Sequence, residues 1–226
     1  MTDAFPAKVG TGFASGNAQQ ARVRWAQPGD AAAVADRIEA EVRAGPCRIA
    51  FTGGSTPLKV LALLAARDLD WSGVTIALTD DRQVPDDHPA SNFGKIRDAL
   101  GDSGARFERL VEGAEVAPFD LVWLGMGEDG HVASLFPTMT ATLRPGARVI
   151  ATRPIPLPEN APFDRLSLNA VALKATREII LVVTGPEKRA IIEAAIAGTE
   201  AQAAQWPVSE FLRGATGPLV TIYWSA

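Results

Sequence analysis

One cysteine, two histidines and one tyrosine in 226 residues leave this chain poor in the side chains that most often announce a chemistry. Cys47 has no partner within the chain, which excludes the disulfide framework of a small secreted domain. It stands in Cys-Arg-Ile-Ala-Phe, a strand-like run in which it reads as a small core residue. Cys47, His88 and His131 are the only soft ligands and no two have metal-ligand spacing, so no metal site is expected. Long apolar runs are missing too. Nothing approaches the roughly 20 residues that cross a bilayer, and the first twenty residues hold no signal-peptide core. The expectation is therefore a cytoplasmic protein without a membrane partner. Basic runs are also absent: 22 basic and 26 acidic residues are scattered, for a net charge of −4, which argues against a nucleic-acid partner. A small anionic ligand stays open, because it needs only a few local cations and backbone amides.

The composition is that of a globular protein, 47% hydrophobic and 21% charged, and the length suits one α/β domain over residues 1–226. No internal repeat is visible. Elements alternate in a βα rhythm. A short strand at 22–26 precedes a helix over 30–44, with Val34, Ile38 and Val42 on one face. A strand at 48–52 leads to a helix over 57–66 with Pro57 in its first turn. Another strand follows at 74–79, then a helix capped by Ser91 or Asn92 and running to Leu100. Strands are expected at 119–124, 148–152, 165–169 and 179–184, a helix over 186–197, and a last strand at 219–224. This order predicts a Rossmann-like α/β fold, a mostly parallel twisted sheet with helices on both faces. Ligands of such sheets bind beyond the carboxyl ends of the strands, so those ends are read first.

After Thr52 comes Gly53-Gly54-Ser55-Thr56-Pro57. Two glycines let a ligand approach the backbone, and the following helix start offers amides and a positive dipole end to a phosphate. The same residues also make an ordinary tight turn with a Ser/Thr cap. The Gly-Lys-Ser/Thr ending of a Walker loop is lacking. After Thr79, Asp80-Asp81-Arg82-Gln83-Val84-Pro85 could bind sugar hydroxyls or a phosphate, or form a solvated turn.

After Leu124, Gly125-Met126-Gly127-Glu128-Asp129-Gly130-His131 satisfies the dinucleotide pattern literally. Pro137 cuts any following helix short, and no carboxylate stands in 149–153, about 20 residues on, so a nicotinamide cofactor is rejected. The loop instead offers Asp129 and His131. A histidine, with its ordinary pKa near 6.5, is the natural general base at neutral pH, and a nearby carboxylate can fix its tautomer. A serine triad finds no Gly-x-Ser-x-Gly elbow. After Thr184, Lys188 falls in the first turn of a helix, where the dipole opposes a cation unless a bound anion shares the site. Arg165 opens its strand, and reaches the same edge only if that strand runs antiparallel to its neighbour.

Together these strand ends resemble the 6-phosphogluconolactonase family. Carrying the resemblance are Thr52-Gly53-Gly54-Ser55-Thr56-Pro57, Asp81-Arg82-Gln83-Val84-Pro85 with Ser91-Asn92, and above all the thirteen residues from Gly125 to Pro137 (Gly-Met-Gly-Glu-Asp-Gly-His-Val-Ala-Ser-Leu-Phe-Pro). Arg165-Leu166-Ser167-Leu168 and Thr184-Gly185-Pro186-Glu187-Lys188 echo it more weakly. Two departures are Asp80-Asp81-Arg82, where the family often has Asp-Glu-Arg, and Glu128 before Asp-Gly-His. The related glucosamine-6-phosphate deaminases share the fold but carry Asn-Glu-Pro where Leu135-Phe136-Pro137 stands, and Ser-Tyr in place of Ser91-Asn92. Phe136 cannot relay a proton, so deamination is the lesser reading. A sugar-phosphate sensor is weaker still, because it expects an attached DNA-binding segment.

The resemblance implies hydrolysis of a small phosphorylated sugar lactone, 6-phosphogluconolactone, with no cofactor. Phosphate is expected on Gly53, Gly54, Ser55 and Thr56, with Arg165 and Lys188 supplying charge and Asp81 and Asn92 completing the binding side. Arg82 joins them or steadies the charge developing on the lactone. His131 is the expected base, and Asp129 orients it or holds a sugar hydroxyl. The sequence does not report oligomeric state, although a monomer is compatible with it, nor whether His88 reaches the substrate.

Overall fold

In the computed structural model the described residues are 22–137, 139, 146–159, 161–214 and 216–226. Seven strands build a fully parallel sheet: β1 (Val23–Trp25), β2 (Cys47–Phe51), β3 (Val74–Leu78), β5 (Arg106–Phe107), β6 (Phe119–Gly125), β9 (Thr176–Thr184) and β10 (Leu219–Ser225). Their order is β1-β10-β9-β6-β2-β3-β5, and every neighbouring pair runs parallel. Three shorter strands, β4 (Asp80–Arg82), β7 (Val149–Thr152) and β8 (Arg165–Leu168), form a separate antiparallel sheet in the order β4-β8-β7.

Side-chain alternation divides the core. Along β6, Leu121 and Trp123 pack to one side and Val122 and Leu124 to the other, all essentially inaccessible to solvent. The first side is covered by α1 (Ala31–Arg43), α2 (Ser55–Ala65) and α3 (Asn92–Leu100), through Val34, Ile38 and Val42, then Val60, Leu61 and Leu64, then Phe93, Ile96 and Leu100. Covering the second are α4 (Ala170–Lys174), α5 (Pro186–Ala197) and α7 (Ser209–Leu212), which follows the short α6 (Glu200–Ala203). The small sheet adds Val149, Ile150 and Leu168 to that second side. Among the described residues no helix is long and apolar enough to cross a membrane.

Six of the seven large-sheet strands stand where the sequence predicts them, with β9 beginning three residues earlier than its apolar run suggests; the two-residue edge strand β5 carries no such signal, and the strands expected at 148–152 and 165–169 lie in the small sheet instead. The small sheet was not foreseen as a unit. β4 reads Asp-Asp-Arg, with neither apolar alternation nor strand-forming residues. It exists because it pairs with β8, Asp80 opposite Ser167 and Arg82 opposite Arg165.

Helix starts differ in a way that matters for the site. Asp30 caps α1, its carboxylate accepting from the Ala33 amide at 2.9 Å, and the Ser91 hydroxyl caps α3 by accepting from Gly94 at 3.0 Å. The long helices α2 and α5 instead follow Gly54 and Gly185, at φ +115° and +93°, and receive no side-chain cap. No side chain among the described residues answers their first amides, and in α5 the first helical residue, Pro186, has no amide hydrogen to offer.

Leu121→Ala, in the fully buried centre of β6, is expected to cost about 2–5 kcal/mol. Val111→Ala, at a site 61% exposed, should change stability by less than about 0.5 kcal/mol. Urea unfolding of the two variants is the check; equal losses would contradict this placing of the core.

Candidate active site

Strand order reverses between β2 and β6: from β2 the chain moves outward to β3 and β5, whereas β6 leads to β9 on the opposite side. Loops leaving these two adjacent strands therefore part, and a crevice opens at their carboxyl ends. A cavity of about 270 Å³ occupies it, floored by Thr52, Trp123, Gly125 and Met126. Two of its sides are the uncapped helix starts, Gly53-Gly54-Ser55-Thr56-Pro57 of α2 and Thr184 and Lys188 at α5. Pro57 has no amide hydrogen, so the donors offered by α2 come from its neighbours. Lys188 has no ion-pair or hydrogen-bond partner among the described residues.

Arg82, Asn92 and Asp80 make the third side. Arg82 Nη1 donates to the Ala90 carbonyl and to Asn92 Oδ1, both at 2.9 Å. The Asn92 carboxamide in turn donates to the Asp80 carbonyl at 3.2 Å and lies over Gly53, where a Cβ would overlap it. Glycine at 53 is thus a packing requirement as well as an opening for a ligand. Asp80 is nearly buried; its carboxylate accepts from Ser134 Oγ at 2.7 Å and from Thr79 Oγ1 at 3.2 Å.

The fourth side is the loop after β6. His131 lines the cavity, its Nδ1 2.5 Å from Asp129 Oδ1. A carboxylate only accepts, so Nδ1 carries the hydrogen, and in the neutral ring the lone pair is on Nε2. The Asp129 carboxylate also accepts from the His131 amide at 3.1 Å, and the ring rests against Phe136, centroids 4.9 Å apart. Gly127 lies beneath the imidazole, where a side chain would overlap it, and Gly130, at φ +77°, faces Trp206. Ser134 ties the loop to two strands of the small sheet, its hydroxyl on Asp80 of β4 and its amide donating to Ser167 Oγ of β8 at 3.2 Å. Next to it Ala133, on the cavity wall, holds φ +50°, a conformation that non-glycine residues rarely adopt.

Most residues singled out from sequence meet at this cavity: Gly53, Gly54, Ser55, Thr56, Arg82, Asn92, His131 and Lys188 all line it. Three stand elsewhere. Asp81 faces away, its carboxylate accepting from the Arg82 and Asn92 amides at 2.7 Å and the Phe93 amide at 3.0 Å, so it anchors the start of α3. Burial pushes its carboxyl above the ordinary range, against the pull of these amides. The cleft carboxylate is Asp80, which the sequence reading passed over for its neighbour. Arg165 is almost wholly buried behind the wall, directly opposite Arg82 across the antiparallel β4–β8 pair, its Nη2 on the Ala161 carbonyl at 3.0 Å and its Nη1 without a partner among the described residues. Burial and then the charge of Arg82 lower its pKa. Asp129 borders an adjoining cavity of about 470 Å³, which shares Gly127, His131 and Lys188 with the first and is walled by Pro154, Ile155 and Pro156. His88 is outside both; its Nδ1 accepts from the Ala90 amide at 3.0 Å and its ring meets Phe163 edge-on. Among the described residues, no three His, Cys, Asp or Glu side chains gather as a metal site would require.

The model of the glucosamine-6-phosphate isomerase/6-phosphogluconolactonase family matches residues 27–111 and 102–221, which together take in the whole cavity. The chain belongs to this family. Among its relatives within the family, the 6-phosphogluconolactonase of Pseudomonas putida is 36% identical over 213 residues, 84% of this chain and 85% of that protein. That of Pseudomonas aeruginosa is 36% identical over 97% of this chain and 96% of its own length. A crystal structure of a 6-phosphogluconolactonase from Shewanella baltica superposes with a TM-score of 0.74 at 30% identity, covering 90% of this chain and 97% of the other. A monomeric glucosamine-6-phosphate deaminase, 18% identical with a TM-score of 0.70, shares the fold.

The packing of Asn92 over Gly53 yields a test. Gly53→Ala should destabilise the protein by about 1–3 kcal/mol, the usual cost of overpacking. Adding Asn92→Ala, which removes the overlapped group, should cancel part of that loss. Thermal unfolding of the two single variants and the double measures the coupling; strictly additive losses would show that the two residues do not meet.

Proposed function

We propose that this protein hydrolyses 6-phospho-D-glucono-1,5-lactone to 6-phosphogluconate, the ring-opening step of the oxidative pentose phosphate pathway, with His131 activating water. The observation that carries the reading is one cavity with the uncapped start of α2 and a lysine unpaired among the described residues on one side and an oriented histidine on the other. The first half is chemistry for a phosphate, the second for a proton transfer. Its relatives' shared name, 6-phosphogluconolactonase, supports the same substrate.

In this mechanism the phosphate rests on the amides and hydroxyls of Gly53, Gly54, Ser55 and Thr56 and on Lys188. Arg165 lends charge through the wall, where its free Nη1 and the adjacent Arg82 favour an anion. This remote anchor holds the ring, so binding free energy orients the carbonyl. Nε2 of His131 takes a proton from water as the water oxygen bonds to the lactone carbon, and the carbonyl electron pair moves to oxygen. The Arg82 guanidinium offsets that charge. When the tetrahedral centre collapses, the bond to the ring oxygen breaks and the imidazolium returns its proton to that oxygen. Asp129 keeps Nδ1 protonated throughout, and Asp80 accepts from a sugar hydroxyl. Ester hydrolysis requires neither redox chemistry nor a carbanion, so this scheme uses only the chain's own groups.

Decay of freshly generated lactone with a chelator present, against a no-protein blank, is the first measurement, since the lactone also opens unaided. His131→Asn should lose about 100-fold or more in turnover while still binding 6-phosphogluconate. Near-native turnover in that variant, or no acceleration by the native protein, would overturn the reading. Lys188→Ala and Arg165→Ala are each expected to weaken 6-phosphogluconate binding; undiminished affinity in both would move the phosphate to another part of the cleft.

A further inference from the structure

Two cations stand side by side in the first turn of α5, at the helix end whose dipole disfavours them. Adjacent helical residues point about 100° apart, so Lys188 and Arg189 serve different surfaces. The charge on Arg189 is answered repeatedly. Its guanidinium lies over two indoles, 5.1 Å from the ring centre of Trp25 and 4.6 Å from that of Trp224, and its Nε donates to Glu193 at 2.7 Å. Lys188 receives no such answer from the described residues and lines both cavities.

Trp224 holds the same turn a second time. Its indole Nε1 donates to the Gly185 carbonyl at 2.9 Å, and the Gly185 amide donates to the Ser225 carbonyl at 3.0 Å. Gly185, in the left-handed region and without a side-chain cap, is where the helix direction is set, and β10 grips it at both backbone groups. Trp25 belongs to β1, which is paired in register with β10, Trp25 opposite Ile222. The stack therefore joins two neighbouring strands of the sheet to the one helical turn that carries Lys188.

We propose that Trp25, Arg189 and Trp224 are positioning residues for Lys188, fixing the first turn of α5 so that the ammonium group stands ready in the cleft before the ligand's phosphate arrives. The inference deepens the reading of Lys188 given above and rests on it. A lysine on a loose turn loses rotational freedom when it binds; one on a clamped turn has less to lose. The two indole faces also stabilise the Arg189 guanidinium at a helix start where the dipole disfavours a cation.

The experiment measures 6-phosphogluconate affinity by calorimetry and lactone turnover by rate, with thermal melts to verify folding. The proteins are native, Lys188→Ala, Arg189→Met, Arg189→Lys, Trp224→Phe, and the double variant Lys188→Ala/Arg189→Met. Arg189→Met, which keeps the chain length and loses the charge, should weaken binding about three- to tenfold, and Arg189→Lys should restore part of it. Trp224→Phe keeps an aromatic ring and loses the hydrogen bond to Gly185, for a similar weakening of about three- to tenfold. In the single Arg189 and Trp224 variants KM should rise while kcat stays within about twofold. With Lys188 already removed, Arg189→Met should cost nothing further. An Arg189 effect of equal size in both backgrounds, or one confined to kcat, would overturn the clamp. Native affinity in the Arg189 and Trp224 variants alongside a weakened Lys188→Ala would overturn it alone, whereas native affinity in Lys188→Ala would bring down the phosphate assignment as well.

Discussion

Two long helices begin without a side-chain cap, α2 with its first residues on the crevice and α5 with Lys188 of its first turn in it. Elsewhere this chain spends a side chain on each long helix start, Asp30 on α1 and Ser91 on α3. At α2 and α5 it supplies glycine instead. Bare amides at a helix start call for a partner, and the strand order brings the start of α2 and the first-turn Lys188 of α5 to one opening between β2 and β6. Much of the remaining architecture serves to hold other groups at the right places around that opening.

The third and fourth sides of the cavity are held by polar contacts that reach across the fold. Ser134 joins Asp80 of one small-sheet strand to Ser167 of another, and so ties the histidine loop to both. Asp81 gathers three amides at the start of α3, which sets Asn92, and Asn92 sets Arg82. Adjacent carboxylates thus divide their labour: one is consumed by structure and the other faces the cleft. Glycines at 53 and 127 make this packing possible by leaving room for a carboxamide and an imidazole.

Much of this was legible in the residues and some was not, for physical reasons. β2, β6 and β9 are buried on both faces and announce themselves as apolar runs, and the loops after them carry the recognisable motifs. β4 escaped notice because pairing with β8, and no local propensity, makes it a strand. The choice between Asp80 and Asp81 was not available either: successive strand residues point to opposite faces, and only the folded chain says which face is the cleft. The Ser134–Ser167 contact joins positions 33 residues apart, with no periodicity to signal it. For Arg165 the sequence offers only a condition, an antiparallel strand; β8 meets it, yet the burial of Arg165 behind Arg82 depends on a sheet that cannot be read from the sequence.

The cations of this site are recessed while the chain as a whole carries a net charge of −4. At physiological ionic strength a charge is felt over only about 8 Å, so a distant ligand meets a faintly repellent particle and feels the half-buried Arg82 and Lys188 only as it nears them. Such a protein has little long-range electrostatic steering to gain from. Its capture rate should therefore depend weakly on salt, and metabolite anions that are too broad for the crevice never encounter the groups that would hold them.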